Sequence, residues 1–447
     1  MNKTIAFVSL GCDKNTVDSE IMLQLLTDHG YTLIKEEEKA KILVVNTCAF
    51  IQDAKEESIN TIIELGEYKK TGACRGLIVT GCLAQRYAKE IFEELPEVDA
   101  VVGTGSYEEI VQVADRVLEG GGEKLSCLRS PDERALTYQK RIVSTVGYYE
   151  YLKIAEGCDH HCTYCIIPKL RGRYRSRTSE DIRREAEDLA EQGVKELMII
   201  AQDITKYGRD IPGEKDLPEL LQDLCTIPGL QWIRLLYCYP EDITEKLMDV
   251  IAREPKIVPY LDMPIQHASD SVLRRMGRRD RKENLRQRIR QLRERIPGVA
   301  LRTTLITGFP GETEEEFREL CDFVKESRFD RLGVFAYSQE EDTPAAAMEN
   351  QIPQEVKEAR RDTVMELQRS ISMERSQAMV GLETDVLIEG RLPEEENVYT
   401  GRTYRDAPEI DGFIFVTSDR ELRSGDMIRC RVTGAYEYDL IGEEIEA

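Results

Sequence analysis

Apolar runs and amphipathic stretches alternate with a regular rhythm along the first quarter of the chain. "KTIAFVSLG" precedes "DSEIMLQLLTDHG", "KILVVNT" precedes "DAKEESINTIIELGEYK", "GLIVTG" precedes "QRYAKEIFEEL", and "DAVVGTG" precedes "YEEIVQVADRVLEGG". A short continuous apolar run suits a strand buried on both faces, and the 3.6-residue spacing that follows each run suits a helix. Repetition of this βα unit predicts a parallel sheet with helices on its faces over residues 1–125. Residues 126–147 break the rhythm and read as a linker with some extended structure.

A second series occupies residues 148–374. Its strand candidates are "YLKIAE", "VKELMIIA", "WIRLLYC", "VPYLDMP", "ALRTTLI" and "RLGVFAY", separated by helical stretches such as "TSEDIRREAEDLAEQG", which has a Thr or Ser cap and a Gly stop. Six βα units in succession predict a (β/α)6 partial barrel, with its chemistry at the C-terminal ends of the strands. One long charged helix, residues 353–379, trails it. From 375 to 447, short strand-like runs ("TDVLIEG", "GFIFVTS", "DMIRCRVTG") between turn residues predict a small antiparallel β-barrel. The expected class is therefore α/β, with an all-β tail.

Composition narrows the setting. The 447 residues are 41% hydrophobic and 32% charged, and no apolar run reaches membrane-spanning length, so a cytoplasmic location is the expectation and no membrane partner is. The N-terminus reads as a buried first strand rather than a signal peptide. A net charge of −23 argues against a general polyanion binder and favours a basic partner. Twelve cysteines in such a setting are not expected to be disulfides.

Six of these cysteines form two patterned groups. "IAEGCDHHCTYCIIP" carries Cys158, Cys162 and Cys165 with spacing C-x3-C-x2-C, directly after the first strand of the second series. Three thiolates can hold three irons of a 4Fe–4S cube and leave the fourth iron open, whereas structural zinc needs a fourth ligand that His160 and His161 are too cramped to supply. The plainer alternative is three buried structural cysteines. The second group is Cys12, Cys48 and Cys82, each at the C-terminal end of a strand candidate and separated by 36 and 34 residues. Each thiol thus falls at the same phase of successive βαβ units of about 30 residues, on the edge where parallel sheets bind ligands. Cys74, Cys127, Cys225, Cys238, Cys321 and Cys430 lack such spacing and read as packing residues.

"GCDHHCTYCIIP" resembles the radical S-adenosylmethionine motif, and the "GC…NTC…GC" series resembles the N-terminal domain of methylthiotransferases, with a TRAM barrel at the C-terminus. Within that group, "SLGCDKNTVDSE", "NTCAFIQDAKEESI", "DMPIQHASDSVLRRMGR", "YSQEEDTP" and "TYRDAPEIDGFIFV" are similar to the enzymes that methylthiolate an aspartate of the twelfth small-subunit ribosomal protein. Those enzymes usually carry proline where this chain has Asp13.

The resemblance implies that Cys158, Cys162 and Cys165 hold a cluster whose open iron chelates S-adenosylmethionine, which one electron cleaves to a deoxyadenosyl radical. It implies that a second 4Fe–4S cluster on Cys12, Cys48 and Cys82 carries or donates sulfur, methylated by a second S-adenosylmethionine. An electron-donor protein is a further expected partner. Cofactor-contact candidates at other strand ends are Tyr164, Gln202, Asp203, Gln266 and its neighbour His267.

Two alternatives stay open at this point: a transfer-RNA base as the substrate, and a non-catalytic ribosome-associated scaffold with structural zinc. "KLRGRYRSR", residues 169–177, is the best argument for RNA, with five basic residues in nine. Against it, the chain from Glu374 onward carries 18 Asp and Glu against 8 Arg and no Lys. Its acids, among them Glu394, Glu395, Glu396, Asp406, Glu409 and Asp411, are expected to form a face that attracts a basic ribosomal protein.

Overall fold

The computed structural model describes residues 3–120, 122–134, 136–393 and 395–445. The first sheet contains β1 (Thr4–Ser9), β2 (Thr32–Leu33), β3 (Ile42–Thr47), β4 (Gly76–Gly81), β5 (Ala100–Val102) and β6 (Leu125–Cys127) in the order β2-β1-β3-β4-β5-β6. Every pairing in it is parallel. Helices α1 (Asp13–Asp28), α2 (Gln52–Thr71), α3 (Cys82–Glu94) and α4 (Ile110–Glu119) follow β1, β3, β4 and β5, as the rhythm predicts. Strands β3 and β4 are buried at every residue, which explains their unbroken apolar runs. The two edge strands β2 and β6, of two and three residues, are additions the sequence rhythm does not signal.

The second sheet is open and wholly parallel, with β7 (Tyr149–Lys153), β10 (Glu196–Ile200), β11 (Trp232–Leu235), β12 (Ile257–Asp262), β13 (Ala300–Thr307) and β14 (Arg331–Ala336) in the order β14-β13-β12-β11-β10-β7. Between β7 and β10, the short strands β8 (Ala155–Glu156) and β9 (Arg175–Ser176) pair antiparallel and clasp the base of the cysteine-rich loop, which contains the short helix α5 (Ile167–Arg171). The charged helix Gln354–Gln377 packs on β14. Beyond it, β15 (Glu383–Arg391), β16 (Val398–Thr403), β17 (Ile414–Thr417), β18 (Met427–Ala435) and β19 (Leu440–Glu444) close a barrel in the order β15-β16-β17-β19-β18. Its pairings are antiparallel except β17 with β19, which is parallel.

One apolar cluster joins the three units: Ile5 and Val17 of the first sheet region, Tyr149, Met198, Trp232 and Tyr260 of the partial barrel, and Leu387 and Ala407 of the tail. The stretch preceding β7 is pinned rather than loose. Buried Arg141 faces Glu20 of α1, Glu150 of β7 at 3.3 Å and Glu185 at 2.8 Å.

The tail barrel docks at the N-terminal end of the partial-barrel strands. Arg402 reaches Glu196, the first residue of β10, at 2.7 Å, and Tyr149, the first residue of β7, donates to Glu409 at 2.8 Å. Tyr260 donates to Asp411 at 2.6 Å, Arg331 pairs with Asp406, and Arg405 pairs with Asp330 at 2.7 Å. This narrows the expected acidic docking face. Asp406 and Asp411 are buried against residues of the partial barrel and are not available to a partner, while Glu409 accepts from Tyr149 and remains exposed. Glu395 and Glu396 are exposed, and Glu394 lies outside the described residues. Among the described residues, no helix is long and apolar enough to cross a membrane.

Candidate active site between two sheets

At the C-terminal edge of the first sheet, Cys12 caps α1, Cys48 follows β3, and Cys82 opens α3. Turning from β1 into α1 requires Gly11 at φ +94°, and a Cβ there would lie 2.9 Å from the Cβ of Cys48, so the first two thiol-bearing turns are in direct contact. Asn15 locks them together, donating to the carbonyls of Leu10 and Thr47 at 3.0 Å each. Burial pushes the Cys48 thiol up to about 12, with Cys82 and Cys12 adding to the shift. Burial also raises Cys82, and the guanidinium of Arg171 works against it. Cys48 and Cys82, each disfavoured from ionising by a neighbouring thiol, are brought together with Cys12 here, and a bound cation would reverse that preference by displacing their protons.

The other triad, Cys158, Cys162 and Cys165, lies on the clasped loop. Gly157, at φ +80°, lets the chain leave β8 directly into Cys158, and an added Cβ would meet the carbonyl oxygen of Arg173 at 2.0 Å. The Cys158 amide donates to Gly172 O at 3.0 Å, and a turn closes from Cys165 N to Cys162 O at 3.0 Å. Burial raises Cys158 to about 11, with Cys162 adding to it; burial raises Cys165 too, with Cys162 and Cys158 both contributing. These thiols therefore also converge.

The donor sets discriminate between metals. A single zinc with bonds of about 2.3 Å in a tetrahedron holds its sulfurs about 3.8 Å apart. Among the described residues, the one group of three candidate ligands lying mutually within 4.8 Å is His160, Asp203 and Asp242; neither thiol triad closes to that spacing. Triads that converge yet stay this open fit a multi-iron cube better than one ion. The His160 group is already engaged, since His160 contacts Asp203 at 2.8 Å and Asp242 pairs with Arg209 at 2.6 Å.

A buried ion network joins the two triads. From α5, Arg171 reaches Asp18 of α1 at 2.5 Å, Glu156 of β8 at 3.4 Å and the side-chain oxygen of Asn15. Lys153 reaches the same two carboxylates at 2.5 and 2.9 Å. Burial pushes Glu156 up, but Lys153 and Arg171 outweigh it and hold the carboxyl well below its ordinary value. Nothing in the local sequence signals this clamp. It also weakens the argument for RNA: within residues 169–177, Arg171 and Arg177 are buried in ion pairs and Arg175 binds a backbone carbonyl, leaving Lys169 and Arg173 exposed.

The remaining strand-end candidates have distinct surroundings. Gln202 donates to Glu156 at 2.8 Å and leaves its oxygen unpaired. Asp203 is fully buried, orienting His160 and capping Thr205 at 2.9 Å. Gln266 sits at φ +69° in an isolated bridge to Leu305. His267 is buried with Nε2 unpaired, 3.6 Å from Glu312, whose other oxygen accepts from the amides of Gly308 and Phe309. Tyr164 packs against a cluster containing Phe309 and Tyr337, beside Cys162. The loop after β11 spans the gap between the triads: Tyr239 Oη lies 3.6 Å from Cys162 Sγ and its ring stacks on His160, while Tyr237, at φ +62°, faces α1. Residues forced to positive φ at a mouth of this kind often mark function, and glycine-free sequence gave no hint of them.

Comparisons with known proteins follow these three units. Residues 152–324 match the Radical SAM superfamily, residues 4–103 match Uncharacterized protein family UPF0004, and residues 380–445 match the TRAM domain. The radical S-adenosylmethionine methyltransferase TsrM from Kitasatospora setae superposes with a TM-score of 0.57 over 77% of each chain at 15% identity, and OxsB with 0.52 over 81% of this chain and 56% of its own at 13%. At such identities the likeness is one of fold. The partial barrel with its thiol loop thus belongs to the radical S-adenosylmethionine class, extended by a thiol-bearing sheet and a β-barrel.

The sequence relatives narrow the class. The ribosomal protein uS12 methylthiotransferase RimO of Lachnoclostridium phytofermentans is 58% identical over 98% of this chain and 99% of its own, and that of Clostridioides difficile 52% identical over 98% of each. The chain belongs to the RimO family of uS12 methylthiotransferases.

Proposed function

We propose that this chain exchanges a hydrogen on the β-carbon of an aspartate in uS12 for a methylthio group, in the cytoplasm, with electrons from a donor protein. The observation that carries the reading is the pair of open three-thiol turns presented at the ligand edges of two joined parallel sheets, in a chain of this family. Cys158, Cys162 and Cys165 would hold the cluster that binds S-adenosylmethionine, and Cys12, Cys48 and Cys82 the second cluster. When bound, these groups supply the one-electron chemistry an unactivated C–H bond requires.

The chain's own residues provide the frame. The β8–β9 clasp fixes the first triad, and Asn15 fixes the turns of the second. Arg171 and Lys153 hold the two halves together with ion pairs shielded from water. Tyr164, Gln202 and Gln266 surround the mouth as cofactor contacts, and Asp203 acts through His160.

Mass spectrometry of ribosomal proteins and transfer RNA from cells with and without the gene tests this. The expected result is one aspartate of uS12 that loses its methylthio mass when the gene is absent. A loss confined to a transfer-RNA base would overturn the reading. Anaerobic metal analysis should find about eight irons per chain, and about four after alanine replaces either triad.

A further inference from the structure

The target side chain carries a carboxylate beside the carbon that reacts, so the site needs a cation near the second triad. Arg171 and Lys153 each already serve Asp18 and Glu156, and Arg302 serves Asp262 and Asp411. Lys14, two residues from Cys12, is differently placed. Its side chain is 7% exposed, its ammonium sits 2.9 Å from the Tyr237 ring centroid, and among the described residues its one carboxylate partner is that of its neighbour Asp13, at 3.1 Å.

Asp13 is itself a poorly satisfied occupant. One of its oxygens accepts from the Lys14 amide at 3.0 Å and the Tyr237 hydroxyl at 3.3 Å and pairs with the Lys14 ammonium, while the other is buried with no hydrogen-bond partner among the described residues. An orphaned buried carboxylate oxygen is costly, and a second carboxylate offered to the same ammonium would compete on favourable terms. Gly11 and Cys12, just before this pair in the chain, are exposed, while the Lys14 and Asp13 side chains are buried next to them. The Tyr237–Tyr239 loop that Lys14 touches reaches Cys162 at its far end, so the ammonium lies against the segment that spans the two triads.

We infer that Lys14 binds the carboxylate of the target aspartate, displacing Asp13, and so selects an acidic side chain for modification. The inference rests on the uS12 reading. Lys14 is a substrate-binding residue, and Asp13 holds its place until the partner arrives.

The test is a double-mutant cycle by anaerobic titration of the cluster-loaded chain. It uses intact uS12 and uS12 with the modified aspartate, as located by mass spectrometry, changed to asparagine. With the wild-type chain, the asparagine protein should bind at least about tenfold more weakly. Lys14→Met should weaken binding of the aspartate protein by a similar factor and of the asparagine protein little or not at all. Asp13→Asn, which removes the internal competitor at constant size, should tighten binding of the aspartate protein. Lys14→Gln replaces Lys14→Met if the latter loses iron. Additive losses, with no coupling between Lys14 and the aspartate, would overturn the inference while leaving the uS12 reading standing. A wild-type chain that never modifies uS12 would overturn both.

Discussion

Replacing Arg171 with methionine isolates the worth of the clamp between the triads. The substitution keeps the length and apolar stem of the side chain and removes its charge. It leaves Lys153 as the cation shared by Asp18 and Glu156, side chains that are 6% and 4% exposed. The negative charge of the site is then only partly offset, by Lys153 and the nearby Arg134, away from water. Losing one partner of such a buried pair costs about 3–5 kcal/mol, and because Lys153 already lies 2.5 and 2.9 Å from the two carboxylates, the lower end applies. A loss of about 3 kcal/mol makes local opening of α1 about a hundredfold more frequent. Native-state hydrogen exchange of the α1 amides reads this without assuming that a three-unit chain unfolds in one step. The double substitution Arg171→Met with Asp18→Asn removes a charge of each sign and should restore about half of the lost protection. If Arg171→Met costs less than about 1 kcal/mol, or the two substitutions simply add, the clamp is not the electrostatic unit described.

Two further outcomes follow from named residues. Burial, with Glu20 adding and Arg141 opposing, raises Glu150 to about 7 from its ordinary 4.5, so the folded chain holds a proton that the unfolded chain releases. That contribution is fully present below about 4.5 and is lost as pH rises through about 7, so Glu150→Gln should flatten the fall in thermal midpoint between pH 5 and 8; an unchanged profile would refute the assignment. Gly157→Ala must relieve a 2.0 Å contact at Arg173 O and should displace Cys158, cutting iron from about eight to about four per chain while sparing the other triad; full iron retention would show that the loop adapts.

The parallel sheets were legible because buried strands and amphipathic helices leave opposite periodicities, and the Cys12–Cys48–Cys82 phase was legible because one thiol recurs per βα unit. The family resemblance stands on identity across nearly the whole chain. The edge strands β2 and β6 escaped detection because two or three residues cannot show a period. The clamp of Arg171 on Asp18 joins residues 153 positions apart, and no local pattern encodes such a pair. Summed charge misled for the tail. A total counts acids without saying where they point, and Asp406 and Asp411 point into the partial barrel. Gln202 and Asp203 follow β10, where strand ends put them, but whether each is free depends on Glu156 and His160, which precede β10 in the chain.

The docking of the tail barrel beneath the partial barrel sets a question of reach. The thiols stand at the C-terminal ends of the strands, whereas Arg402, Glu409 and Asp411 grip residues toward the other end. A six-residue strand such as β12 spans about 20 Å. Any partner that touches both the mouth and the tail must bridge at least that height along the outside of the molecule. A short peptide carrying the target aspartate is too small for this and meets the mouth alone, so a minimal substrate would be blind to the third unit of the chain.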